Sequence, residues 1–224
     1  MAAPDLRDRL AELEEEHATL LSELRAFESD YLRTVGVVDM EVQELEARIL
    51  TIAWERSGES FDRIAAVRAT DRFRETTTAM RAVPPPPGPK PTDDLKTLFR
   101  DAAKRMHPDL VSPAGRAHAE AFMKRLNDAY RDGDAEAIGN LVRQWETSPY
   151  AVSGAPAAGP APALVAAVEQ AEQRLAETRA SDLARLMEQT FMASMHGQDL
   201  LQELRWQAEE ALAEARIRAA ALDR

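Results

Sequence analysis

His107, Pro108 and Asp109 stand in a row where one amphipathic stretch ends and, after a short loop, another begins. A histidine can give or take a hydrogen bond, an aspartate can accept several, and a proline fixes the bend that presents them. No nucleophile, metal-ligand set or phosphate-binding loop accompanies the three. The three do not form a catalytic dyad, and no enzyme activity, metal or cofactor is expected. Four cations precede them, Lys96, Arg100, Lys104 and Arg105, with Asp101 interrupting the run. Exposed cations can steer encounter and set salt sensitivity, while a rigid tip reads geometry.

The elements that must hold this tip can be drawn from spacing. A helix begins at Thr92 or Asp93, where Thr92 can cap it and Asp93 and Asp94 complement the helix dipole. Leu95, Leu98, Phe99, Ala102 and Met106 recur at helical spacing and form its buried face, with the cations mostly on the other side. Pro108 stops the helix and restricts His107 before it. After the loop Leu110 to Gly115, a second helix runs from about Arg116 to Arg131, turning Phe122, Leu126, Ala129 and Tyr130 toward the first. Gly133-Asp134 ends it and starts a short helix carrying Ile138, Leu141, Val142 and Trp145.

Each of these features alone is common. Together, the basic amphipathic helix, His107-Pro108-Asp109, the loop and Phe122-Met123-Lys124-Arg125-Leu126-Asn127-Asp128-Ala129-Tyr130 resemble the J domain of DnaJ-family co-chaperones. The resemblance covers about residues 93–131. It implies an antiparallel helical hairpin that docks on a DnaK-type ATPase chaperone and stimulates ATP hydrolysis there. The docking residues it implies are Lys96, Arg100, Lys104 and Arg105 on the basic face and His107, Pro108 and Asp109 at the tip. It further implies a bend at 107–109 that protrudes with its charged side open. The chain departs from the family where polyproline replaces the usual first helix. Its packing role passes to the 134–146 helix with Trp145, or to the flanks. Gly/Phe-rich and zinc-finger client-binding regions are absent, and clients are unidentified.

The rest of the sequence defines the setting. Aromatic residues are 5% and Gly is scarce among 224 residues, so the fold class is all-α. Cysteine is absent, which excludes disulfides and thiolate metal sites. The first residues carry Asp5 and Arg7 without an apolar core, so a secretory leader is not expected, nor is a spanning segment. The cytoplasm is the expected location. A net charge of −11 argues against nucleic-acid and anionic-membrane partners. Residues 90–146 hold ten Lys/Arg and ten Asp/Glu, so the flanks carry all of that charge.

Two linkers divide the chain into a helical coiled-coil region at 1–80, the J-like segment at 93–147 and a helical region at 163–224. The first linker, 81–92, contains Pro84, Pro85, Pro86, Pro87, Pro89 and Pro91 and reads as a stiff spacer on the order of 35 Å long. The second, 148–162, mixes Pro, Ala, Gly and Ser and reads as more flexible.

Leu6, Leu10, Leu13, His17, Leu20, Leu24, Phe27 and Tyr31 alternate in steps of four and three, and Val38, Val42, Leu45, Ile49 and Ile52 resume the pattern. The slip near Gly36 fits either a continuous helix or a tight turn. Burying each Leu is worth about 1.5–3 kcal/mol, so this stripe needs a partner, within the chain or in a homodimer. A third helix over 60–80 would turn Phe61, Ile64, Val67, Phe73 and Met80 inward. The C-terminal region offers Leu164, Val168, Ala171 and Leu175, then Leu183, Leu186, Met187, Phe191 and Met195, with a break near Gly197. Beyond it come Leu200, Leu201, Leu204 and Leu212.

Remaining residues are assigned plain roles. Trp54, Trp145 and Trp206 are packing anchors, and His17 is a polar register residue. His118 and His196 are surface or turn residues, and Glu14-Glu15-Glu16 is a solvated helix face. The rival to a co-chaperone is a coiled-coil scaffold or adaptor whose J-like hairpin no longer stimulates hydrolysis.

Overall fold

The computed structural model describes residues 3–81, 91–151 and 161–222, and these are helical or in short turns with no strand among them. The all-α expectation holds. The linker segments 82–90 and 152–160 lie outside the described residues. Contacts group the chain into two compact units, Met1–Arg25 with Pro87–Arg185, and Ala26–Pro86 with Leu186–Arg224. Each unit combines stretches from both sides of the 81–92 segment.

In the first unit, the start of α1 (Ala3–Tyr31) is joined by α4 (Asp93–Met106), α5 (Arg116–Arg131), α6 (Ala135–Glu146) and α7 (Ala161–Arg179). The α1 stripe finds its partner within the chain. Leu6, Leu10 and Leu13 are buried against Leu164, Ala167, Val168, Ala171 and Leu175 of α7. A separate core forms among α4, α5 and α6 from Phe99, Met106, Phe122, Leu126, Tyr130, Ile138, Leu141 and Trp145, with Ala11 of α1 at its edge. Phe99 and Tyr130 lie 4.7 Å apart between ring centres with their planes tilted by 55°, and Phe122 meets Trp145 edge-on at 5.4 Å. α6 thus supplies Ile138, Leu141 and Trp145 to this core, and α1 only Ala11 and Ala18.

In the second unit, α2 (Val37–Ser57) packs against α3 (Ser60–Arg81) and α9 (Leu200–Leu222). The slip near Gly36 is absorbed without a turn. Leu32–Gly36 form one π-helical turn, with Gly36 at φ −58° and ψ −31°, so the backbone stays right-handed. Gly36 sits close beneath Leu32 and Met80, where a Cβ would lie 3.1 and 3.2 Å from their side chains.

Alanines make the contacts of this unit. Ala66 and Ala69 are the buried residues of α3, whereas Phe61, Ile64 and Val67, expected inside, stand exposed, Phe61 by 78%. On α9 the buried residues are Ala208, Leu212, Ala215 and Ala219, at heptad spacing. Small side chains let helix axes approach closely, so on α3 the larger residues Phe61, Ile64 and Val67 fall outside the seam, while Leu212 of α9 lies within it. The same correction applies to α8 (Asp182–Met195), where Ala184 is buried while Phe191 and Met195 are exposed. Trp206 is 63% exposed and anchors nothing, in contrast to buried Trp145. Trp54 is half-buried with the Arg63 guanidinium 5.9 Å above its ring. The break after α8 falls at Gly197, whose φ of 76° is the left-handed geometry of a helix end.

Candidate functional site

The helix before the tripeptide starts and stops where the sequence dictates. Thr92 adopts an extended conformation and its hydroxyl accepts from the Leu95 amide at 3.2 Å, capping α4. At the other end His107 leaves helical geometry, with φ −65° and ψ 133°, and Pro108–Leu110 form a single 3₁₀ turn with the proline at its first position. The Asp109 amide donates to His107 Nδ1 at 3.2 Å. A neutral ring therefore carries its proton on Nε2.

Nε2 points into the protein. It lies 3.5 Å from Glu14 Oε1 on α1, and the same carboxylate is paired with Arg174 of α7. His107 is only 4% exposed. The expected bend with its charged side open is therefore corrected: α1 and α7 cover the histidine. Pro108 and Asp109 remain half-buried, and Asp109 Oδ1 accepts from Arg116 at 2.9 Å. Leu110, next in the loop, packs against the α1–α7 cluster.

The basic face divides in two. Lys104 Nζ is 2.7 Å from Asp8 of α1, and Arg105 pairs with Glu146 of α6. Lys96 and Arg100, farther from the tip, have no ion pair among the described residues, and Arg100 donates to the Thr97 hydroxyl at 3.2 Å. The seven candidate docking residues are thus on one helix and its end, with those nearest the tip engaged internally.

Glu14 is the participant that spacing alone overlooks. Assigned to a solvated run, it is instead 11% exposed by its side chain. Burial alone would raise its pKa, yet the hydrogen bond and charge of His107, with Arg174 and His17, outweigh burial and hold it below the usual carboxylate value. Glu15 is likewise engaged, accepting from Thr19 at 2.9 Å and from the Tyr130 hydroxyl at 3.3 Å. Tyr130 also meets Thr19 at 2.7 Å. Burial, reinforced by the nearby Glu15 charge and eased by Thr19, raises its pKa to about 12. Glu16 pairs with Arg179. A signal for this second face exists in Ala11 and Ala18, seven residues apart and beside the leucine stripe. Both pack on the α4–α5–α6 core.

His17 does sit on the α1 stripe, with Nε2 3.0 Å from the Thr178 hydroxyl. His118 is not a plain surface residue. Its ring lies among Phe122, Trp145 and Tyr150 at 4.8, 5.7 and 5.2 Å, and its shielded Nε2 has no hydrogen-bond partner in the structure. Tyr150, placed by composition in a flexible linker, packs there because Gly115 leaves room. A Cβ at 115 would meet the Tyr150 ring at 3.2 Å.

No group of three or more candidate metal ligands occurs among the described residues, and no helix among them is long and apolar enough to cross a membrane. No protein-family model, curated protein or solved structure matches the chain.

Proposed function

We propose that this chain is a J-domain-type co-chaperone acting in the cytoplasm, in which α4 and α5 are the antiparallel hairpin. It docks on a DnaK-type ATPase chaperone and accelerates ATP hydrolysis in that partner. The observation that carries this reading is the placement of His107-Pro108-Asp109 at the C-terminal end of α4, joined through one short loop to α5 in a common core. Lys96, Arg100, Lys104 and Arg105 form the docking face, and Pro108 sets the bend. His107 and Asp109 supply the polar contacts at the tip. The flanking helices serve client binding, targeting or self-association.

The test is steady-state ATPase of a DnaK-type chaperone with increasing amounts of this protein. Wild type should accelerate turnover, and His107→Gln or Asp109→Asn should abolish the acceleration while leaving helicity intact. Equal stimulation by wild type and both variants would overturn the mechanism.

The burial of His107 against Glu14 favours a second reading, an adaptor in which the tripeptide is only structural. A pull-down separates the two. The co-chaperone retains a DnaK-type protein in a manner lost with His107→Gln, and the adaptor does not.

A further inference from the structure

The cover over the tip is built unlike the core beneath it. The α4–α5–α6 core is closed by its own large apolar residues, and α1 adds only buried Ala11 and half-buried Ala18 to it. The α1–α7 seam is likewise complete in itself, through Leu6, Leu10 and Leu13 against Leu164, Val168 and Leu175. These two apolar bodies meet through small apolar contacts, Leu10 and Ala11 beside Ala103 and Leu110, and through a polar set. Asp8 holds Lys104, Glu14 holds His107, and Tyr130 bonds to Thr19 and Glu15. Leu110 is the loop residue that reaches the seam.

Such a joint can open without dissolving either core. Ion pairs and hydrogen bonds are exchanged for water at small net cost, whereas separating leucine seams is expensive. The carboxylates of the joint also occupy the groups an acidic partner surface would contact.

We infer that α1 and α7 form a displaceable cover that holds the hairpin in a docking-incompetent state, with Asp8 and Glu14 standing in for the chaperone's acidic groups. This rests on the co-chaperone reading above. Lys96 and Arg100, free of ion pairs in the closed state, are the landing site. The incoming acidic surface then competes with Asp8 for Lys104 and with Glu14 for His107. The cover thereby sets the concentration of partner at which stimulation begins.

Two full-length variants test this by ATPase titration. In Asp8→Asn/Glu14→Gln the joint is loosened while every docking residue is kept. Its half-maximal concentration should fall roughly three- to tenfold, the scale of one exposed ion pair together with one hydrogen bond. In Ala11→Cys/Ala103→Cys, residues lining one narrow crevice between α1 and α4 replace alanines in a chain without cysteine. Oxidation should link them, as thiol titration reads, and silence stimulation until reduction restores it.

If the loosened variant matches wild type, if the disulfide fails to form, or if the oxidised protein stimulates fully, the cover is overturned. In each of these cases a wild type that stimulates through His107 leaves the co-chaperone reading standing. If neither wild type nor the loosened variant stimulates, or if His107→Gln leaves stimulation unchanged in the loosened background, the co-chaperone reading itself fails and the cover with it.

Discussion

Glu14 follows Leu13 in the α1 heptad, on the flank of the leucine stripe, and from there its carboxylate reaches both His107 and Arg174. His17 lies one turn on, facing Glu14, Arg174 and Thr178. Burial lowers the pKa of His17 from 6.5, Arg174 adds to the effect and Glu14 opposes it. The unfolded chain therefore takes up this proton first, so the contribution of His17 to stability declines as pH falls through about 6.5. His17→Gln should flatten that part of the profile, read as denaturation midpoints at pH values either side of it. An unchanged slope would assign the effect elsewhere. Tyr130→Phe should cost about 1 kcal/mol in chemical denaturation, the worth of a hydroxyl bonded in the folded state. The role of Thr92 as a cap was legible because it acts through its immediate neighbours, and the place of His17 on the stripe because spacing alone sets it. The role of Glu14 was not, because its partners lie 93 and 160 residues away.

Helix limits follow from local chemistry, and here they were readable. Thr92 caps α4, Pro108 ends it, and Asp134 caps α6 by accepting from the Ala137 amide at 2.8 Å. Thr92→Ala should destabilise the first unit by about 1 kcal/mol in a denaturant melt. Helix faces were less readable. Leucine marks the seam of α1 and phenylalanine that of α4 and α5, but α3 and α9 pack through Ala66, Ala69, Ala208, Ala215 and Ala219. A periodicity sought in large side chains points the wrong face of α3 inward. Phe61→Ser and Ile64→Ser should accordingly shift stability by no more than about 0.5 kcal/mol, whereas Ala66→Leu should overpack the seam and cost about 1–3 kcal/mol.

At the scale of the whole molecule, proline-bearing segments suggested pieces in chain order, whereas contacts unite residues 1–25 with 87–185 and 26–86 with 186–224. Linker composition reports where the backbone cannot be helical, and is silent about which amphipathic faces choose each other. Charge behaves more simply. The proposed docking face belongs to a neutral segment of a chain carrying −11, so toward the acidic partner proposed for it the cations would work against a repulsive background. Lys96→Glu/Arg100→Glu should weaken association with a DnaK-type chaperone, with the difference largest at low ionic strength and shrinking as salt is added. Calorimetry at two salt concentrations checks this.

The pairing of Glu14 with Arg174 also has a bearing on translation. A ribosome delivers Glu14 first, the tripeptide next and Arg174 after both. Until Arg174 emerges, Glu14 has His107 within reach but not its guanidinium partner, so this three-residue contact is completed last.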